Sequence, residues 1–375
     1  MLVEIKGIGI PNKGAELMLV AVVEEFTRRY GEVDFVVDPN TDFLGRSRYQ
    51  LYQKGWMNIK GLQIGYLIDF MPNKLLSRFG IKKDKDIDIV VDASGFCYSD
   101  SFGPKNAYEQ VSRYISRWKR QGKKVAFLPQ AYGPFENPKL ASMMRSTLEK
   151  ADIFFARDEQ SKKYLEKIGL KDVAQSPDFT CLVEGVIPND FSTEDAGDVC
   201  VILNNRMIEK LSVADGKSYI ENMTKMISLL RSYNMRPFFL LHDGLDDKPL
   251  TESINNNLEE PLKTYYYEDP KEIKGVISTA SIVISSRFHG LVSALTQGIP
   301  VIATGWSHKY QMLLDDYNVG DFLADHMDYS DLVKKIELLK DEDKYTLIKN
   351  GIVQEKKRQI QKTKDMWNLV FKHIQ

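Results

Sequence analysis

The stretch ASIVISSRFHGLVSALTQGIPVIA, Ala280–Ala303, decides the fold. Ala280–Ile284 is a strand-like apolar run and Leu291–Gln297 a helix-like one, and Gly298-Ile299-Pro300 is a tight turn feeding the next buried strand. Strand, helix, turn and strand in that order belong to an open α/β sheet, whose ligands bind at the carboxyl ends of its strands. At the joint stand Ser285-Ser286-Arg287-Phe288-His289-Gly290. A cation and an imidazole there meet the free N–H groups and dipole of a helix N-terminus, which favour an anion. The combination reads as a site for a phosphorylated substrate.

Outward from this unit, strands and helices alternate along the chain. Leu2–Ile8 predicts a strand, and Gly14–Tyr30 an amphipathic helix with Leu17, Val20, Ala21, Val23 and Phe26 inward. Val33–Val37 and Ile153–Ala156 also predict strands, and Ile87–Val91 and Lys124–Leu128 are short apolar runs typical of parallel strands buried on both faces. Helical spacing marks Tyr108–Gln121, Pro138–Ala151 and Glu159–Ile168. Glu184–Gly197, aperiodic and rich in Gly, Pro, Asn and acids, reads as an interdomain linker.

Beyond it the pattern restarts. Strands are predicted at Val199–Leu203, Arg236–Leu241, Thr264–Tyr267, Ile282–Ser285 and Val301–Thr304. Helices are predicted at Ser218–Ser232, Ile254–Leu258, Pro270–Ser278, Leu291–Gln297 and Gln354–Ile374. The expected fold class is α/β, two Rossmann-like doubly wound domains with an interdomain cleft. The domains are placed at 1–184 and 198–350, with 351–375 a C-terminal helix able to pack back on the first.

Composition narrows the function. The 375 residues are 43% hydrophobic, enough for two ordinary domains, and the net charge of −1 offers no global field for nucleic acid. Three cysteines without CxxC spacing argue against a disulfide framework or structural zinc and suit a reducing cytosol. No stretch has the length and apolarity of a membrane span, so a cytoplasmic protein is expected, with at most peripheral membrane contact. Segment 44–83 carries Ile64, Leu67, Ile68, Met71, Leu75 and Phe79 on one helical face, broken at Pro72 and accompanied by Lys74, Arg78, Lys82 and Lys83. It reads either as a small helix pair packed on the sheet or as an interfacial patch touching a bilayer or a lipid-linked substrate. The acidic clusters Asp84–Asp88 and Asp341–Asp343 read as solvated faces.

Several strand ends carry candidate chemistry. The run from Gly7 to Glu16 is a glycine loop with Asn12 at a helix entry; it is neither a G-x-G-x-x-G fingerprint nor a P-loop. Asp92-Ala93-Ser94-Gly95 follows a strand, and Asp92 is either a base or sugar anchor or the cap of the next turn. Gln130 in Leu128–Pro134 can read hydroxyls. Arg157 stands at a strand end as a candidate anion ligand, with Asp178 as its potential partner. In the second half Asn204, His242-Asp243, Arg287, His289 and Lys309 fall on one rim, the last three from consecutive strand ends. Cys97 lies near a candidate cleft without anything to activate it. A G-x-S-x-G elbow and a metal-ligand His pair are both missing, so serine-hydrolase and zinc chemistry are not expected.

The ordered motifs Gly-x-x-Asn-x-Gly-Ala-Glu, Asp-x-Ser-Gly, Leu-Pro-Gln-x-x-Gly-Pro, Arg-Asp-x-x-Ser, Ser-Pro-Asp and Ser-x-Arg-x-His-Gly, with a later Lys, run from Gly7 to about Tyr317. Together they resemble the polysaccharide pyruvyl transferase family. The resemblance implies a fold similar to the two-Rossmann glycosyltransferases known as GT-B. It also implies transfer of the pyruvyl unit of phosphoenolpyruvate to a sugar of a cell-surface polysaccharide or its precursor, as a ketal across two hydroxyls. On matching positions, Arg287, His289, Lys309 and Arg157 would handle phosphoenolpyruvate, with Ser286, Gly290 and Asn204 beside them. Asn12, Gly14, Glu16, Ser94, Gly95 and Gln130 would face the acceptor. Phosphoenolpyruvate is then a co-substrate, and no cofactor or metal is expected.

The residue types suit that chemistry. A phosphate and a carboxylate call for several cations, preferably a bidentate Arg. Imidazole can protonate C3 or the leaving phosphate, and Asp92 is the expected base for the hydroxyl. The rivals are a glycosyltransferase using a nucleotide sugar, for which Glu337 is a poor ribose anchor, and a non-catalytic glycan-binding protein. Which sugar is modified, whether it is lipid-linked, and the oligomeric state are not legible.

Overall fold

The protein is described here from a computed structural model covering residues 1–375 except 11, 40, 42, 56–57, 60–61, 64, 210 and 306–307, and except the side chains of 58–59, 62–63, 66 and 245. Ile64 of the expected apolar face, Pro11 of the glycine loop, and Trp306 and Ser307 before Lys309 lie outside the described residues. The chain forms two units: Met1–Ile10, Met18–Phe179 and Thr363–Gln375, and then Pro11–Leu17 with Thr180–Lys362.

Among the described residues the first unit holds a sheet of eight parallel strands: β1 (Leu2–Lys6), β2 (Asp34–Val37), β3 (Tyr52–Lys54), β4 (Ile81–Lys82), β5 (Ile89–Asp92), β6 (Lys124–Gln130), β7 (Ile153–Ala156) and β8 (Ala174–Gln175). Their order is β8-β7-β6-β5-β1-β2-β3-β4, so the winding reverses between β1 and β5. β1, β5 and most of β6 are buried on both faces, which accounts for the apolar runs of β5 and β6, while β1 buries Glu4 against Lys54 and Lys6 against Asp38, each at 2.8 Å. Helix α1 (Lys13–Tyr30) buries Leu17, Val20 and Phe26, and ends at Gly31, whose positive φ of 75° lets its N–H reach the Thr27 carbonyl at 2.8 Å. Within the same unit Phe26 meets Trp367 and Phe371 of the C-terminal helix Glu342–Ile374 edge-to-face.

Two local expectations change. Asp84 is not on a solvated face: it pairs with Arg117 at 2.6 Å, Lys54 at 3.0 Å and Lys123 at 3.4 Å, because two of those lysines are buried and need a counter-charge. Segment 44–83 keeps helical turns on either side of Pro72, a 3₁₀ turn at Gly65–Phe70 and a short helix at Asn73–Arg78, but it is more than a helix pair: it also holds part of the helix Phe43–Arg48, contributes β3 and β4 to the sheet, and forms an antiparallel hairpin (Asn58–Ile59 with Leu62–Gln63).

Among the described residues the second unit has five parallel strands: β9 (Val199–Ile202), β10 (Pro237–Leu241), β11 (Thr264–Tyr266), β12 (Ile282–Ser285) and β13 (Val301–Ala303). Their order is β11-β10-β9-β12-β13, the doubly wound pattern with its switch between β9 and β12. Helices α2 (Val213–Ser232), α3 (Phe288–Leu295) and α4 (His308–Asp315) lie in this unit. Residues 184–197, read as a linker, are packed onto it. Gly185 sits so close to the helix Pro270–Ser278 that a Cβ would be 2.7 Å from the Gly275 nitrogen. The Val186 N–H donates to the Lys271 carbonyl at 2.9 Å, and Phe191 enters the core. Two parallel α/β sheets of Rossmann type are thus present.

Candidate functional site

Because all five strands of the second unit are parallel, every carboxyl end opens on one rim. At the β9/β12 switch the Ser285 hydroxyl accepts from the Arg287 N–H at 3.0 Å and donates to the Arg287 carbonyl at 3.1 Å, folding the turn into α3. Gly290 is needed there, since a Cβ would lie 2.9 Å from Ser285 Oγ and 3.1 Å from Ile202 Cδ1. Its place in the Arg-x-His-Gly run is therefore a packing requirement. Arg287 occupies the N-cap position of α3, and His289 lies in its first turn.

The Arg287 guanidinium grips Asp247 through two nitrogens, Nε to Oδ2 at 3.0 Å and Nη2 to Oδ1, and reaches Asp243 Oδ2 through Nη1 at 2.7 Å. Asp247, fully buried, also accepts from the backbone N–H groups of Asn205 and Asp243 at 3.1 Å each. Burial opposes the charge on Arg287, but the hydrogen bonds and charge of Asp247, then Asp243, outweigh it and hold its pKa above the ordinary value. Asp243 moves the other way. Burial and its acidic neighbours raise its pKa above the usual aspartate value despite Arg287. Arg287 was expected to offer its fork to an anion; its two-pronged grip is on Asp247 instead, because the turn Gly244–Asp247 delivers that carboxylate to the guanidinium.

The first turn of α1 belongs to this rim as well. Asn12 Oδ1 accepts from the Ala15 N–H at 3.1 Å, a helix N-cap, and its amide approaches Asp243 Oδ2 at 3.5 Å. A Cβ on Gly14 would fall 2.2 Å from His289 Nδ1, so the missing side chain is what lets the imidazole lie against the helix. Lys13 Nζ bonds Glu16 at 2.7 Å and the Glu268 carbonyl beyond β11 at 2.7 Å. Asn12, Gly14 and Glu16 were expected on the acceptor side. The structure groups them with Arg287 and His289, because the helix begins in the second unit and continues into the first.

His242, 4% exposed at the end of β10, is held well below the usual histidine pKa, first by burial and then by the charges of Arg287, His289 and Lys13. The Lys309 ammonium lies 5.2 Å from the Phe288 ring centroid and 5.5 Å from that of Tyr310, and the Phe288 ring meets the His289 ring at 5.5 Å. Ser286 is fully buried, its carbonyl accepting from the Tyr310 hydroxyl at 2.7 Å and the Asn204 amide at 3.4 Å. Asn204 Oδ1 accepts from the Arg206 N–H at 3.0 Å. Ser286 and Asn204, expected as donor ligands, thus knit the loops beneath the rim. His242 was placed on this rim from the sequence, whereas Lys13 and Asp247 received no role there; the acid four residues after Asp243 was the available signal for the latter.

In the first unit the β1/β5 switch brings Gly7 against Ser94. Gly7 has φ of 76°, and a Cβ there would lie 2.0 Å from Ser94 Oγ. Asp92, 1% exposed, accepts from the Ser94 N–H at 3.1 Å, the Tyr98 hydroxyl at 2.6 Å and the Gln130 amide at 3.3 Å. It caps the turn, as its alternative reading had it. A base for a sugar hydroxyl needs an oxygen open to substrate, so the general-base role expected of Asp92 is not supported. Gly95 has φ of 68° and accepts through its carbonyl from the Ala131 N–H at 2.8 Å, and Gln130 is 1% exposed. Arg157 is buried beside Asp178, Nη1 to Oδ2 at 3.4 Å. Burial, and then the charge of Asp92, push the Cys97 thiol up to about 12, so it is no nucleophile.

The family model for polysaccharide pyruvyl transferase matches residues 12–308. The chain belongs to the polysaccharide pyruvyl transferase family. The match takes in Arg287 and His289 and stops one residue short of Lys309. Membership indicates a transferase acting on polysaccharides.

No curated protein matches the chain in sequence. Among solved structures it is similar to the UDP-GlcNAc 2-epimerase of Neisseria meningitidis bound to UDP-GlcNAc, with 12% identity, 94% of each chain covered and a TM-score of 0.55. It is likewise similar to the UDP-GlcNAc 2-epimerase of Methanocaldococcus jannaschii, with 14% identity, 91% of this chain and 93% of that one, and a TM-score of 0.55. A third is the spinosyn rhamnosyltransferase SpnG, with 11% identity, 96% of both chains and a TM-score of 0.52. At these identities the likeness is one of fold, and the fold is GT-B.

Proposed function

We propose that this family member moves the pyruvyl group of phosphoenolpyruvate onto two hydroxyls of a sugar, forming a ketal. The observation that carries the reading is the gathering of Lys13, Arg287, His289 and Lys309, from three chain segments, at one strand-end rim between two helix N-termini. A donor with a phosphate and a carboxylate would meet Lys309, His289 and the N–H groups of those helix starts, since Glu16 offsets Lys13 and Asp243 and Asp247 offset Arg287. Lys309 and His289 would take the donor's anionic groups. Arg287, with three of its five N–H donors on Asp243 and Asp247, would act as the fixed post that orients the rim.

The chemistry balances with those groups. His289 gives a proton to C3 of the enol, which becomes a methyl group and leaves C2 an oxocarbenium-like centre. One sugar hydroxyl adds to C2 and loses its proton, the C2–O bond to phosphate breaks, and the second hydroxyl closes the ketal. Of the two hydroxyl protons, one replaces that given to C3 and the other leaves with inorganic phosphate. Asp243 is the base favoured here over Asp92. Its side chain is 11% exposed on the rim, with Arg287 on Oδ2, and its raised pKa strengthens it as a proton acceptor. The reaction should therefore fail on the acid side as pH falls through an Asp243 pKa above the ordinary aspartate value.

Calorimetric titration with phosphoenolpyruvate tests the donor without requiring the acceptor. The expected result is one binding event, weakened by salt and by Lys309→Ala. Binding of UDP-GlcNAc with no response to phosphoenolpyruvate would favour a nucleotide-sugar enzyme instead, as the names of the structural neighbours would suggest.

A further inference from the structure

We propose that residues 67–79 of the first unit form a docking surface for a bilayer carrying anionic lipid. Five large apolar side chains of this short stretch stand in solvent: Leu67, Phe70, Met71, Leu75 and Phe79, with Phe70 84% and Phe79 68% exposed. The stretch is nevertheless anchored, because Ile68 and Leu76 between them are buried, and Gly55 lies so close to Ile68 that a Cβ would meet it at 2.8 Å. Soluble monomers rarely gather exposed apolar groups in this way without using them.

Charge selects the occupant. Residues 43–83 contain eight Lys or Arg against one acid, Asp69, in a chain whose net charge is −1. Some of these cations are used internally: Lys54 and Lys83 are buried, and Lys82 pairs with Asp34 at 2.7 Å. Lys74 and Arg78 are exposed, one turn apart on the helix that carries Leu75, and among the described residues neither has a carboxylate partner. A like-charged pair at that spacing weakens a helix unless an external anion offsets it. Apolar side chains seated at the headgroup boundary, flanked by cations that meet anionic headgroups, are how a protein lies on a membrane. A two-fold contact with a second copy would instead press Lys74 and Arg78 against their own likeness. Among the described residues no helix is long and apolar enough to cross a membrane, so the attachment would be peripheral. The proposal does not depend on the identity of the donor.

The test is co-sedimentation of the full chain with vesicles of phosphatidylglycerol and phosphatidylcholine in equal parts, and of phosphatidylcholine alone. Expected is binding to the first that falls with added salt, and little to the second. Lys74→Ala or Arg78→Ala should each weaken it about fivefold. Leu75→Ser with Phe79→Ser should abolish it at an unchanged melting temperature, since both side chains are exposed. Absence of binding to the anionic vesicles, equal binding to both kinds, or full binding by the Leu75/Phe79 double variant would overturn the proposal. So would a wild-type dimer that this double variant converts to monomer, which would assign the face to a second copy.

Discussion

A guanidinium held by two carboxylates is at once the most constrained group on the rim and the one most exposed to damage from a single substitution. Asp247→Ala would leave Arg287 buried without its main counter-charge, and removing one partner of such a pair costs about 3–5 kcal/mol. Urea unfolding should register that loss, while an unchanged midpoint would mean Arg287 finds another partner. His242 makes a different test. Its native pKa lies well below the unfolded value of 6.5, so the folded state binds fewer protons than the unfolded one. Its contribution to stability is fully present above pH 6.5 and is lost as pH falls through the native pKa. His242→Gln should flatten the acid decline of the melting temperature just below that pH; an undiminished slope would place the titrating group elsewhere.

Two glycines decide how whole elements meet. Gly14 admits the His289 ring to the first turn of α1, where alanine would be the better helix former. Gly14→Ala should therefore leave the melting temperature nearly intact but push the imidazole aside, with turnover down about 10²–10⁴-fold if His289 is the acid. Wild-type turnover in that variant would separate His289 from the chemistry. Gly275 is the counterpart for the stretch read as a linker. A Cβ there would lie 2.0 Å from the Val186 carbonyl oxygen, a backbone atom that cannot swing away. Gly275→Ala should lower the denaturation midpoint by well over the effect of a surface substitution, about 0.5 kcal/mol. A neutral result would mean residues 184–197 are held only loosely.

Across the whole chain, the parts of the sequence that could be read were those where one physical signal dominated. β5, β6, β9, β10, β12 and β13 are mainly apolar runs, and both sheets follow from their alternation with helices. β4 and β8 have two residues each and β3 three, too short for any period to register, and they lie toward the sheet edges where burial is partial. The Arg287–His289 pair was legible because a strand end and a helix start flank it. The Asp247 grip on Arg287 was not, since it joins residues forty apart through a 3₁₀ turn that hydrophobic spacing does not mark. The same limit hid the Lys13 bond to the Glu268 carbonyl and the burial of Asp92.

The ketal methyl group reports pyruvyl transfer most directly. In deuterated water with phosphoenolpyruvate and a panel of galactose, glucose and mannosamine acceptors, proton and phosphorus NMR would follow product and phosphate together. Expected are a ketal methyl carrying one deuterium from the acid, one inorganic phosphate per ketal, and loss of both with His289→Ala in a protein that melts as wild type. Untouched phosphoenolpyruvate beside UDP released from added UDP-GlcNAc, or full turnover by His289→Ala, would contradict it.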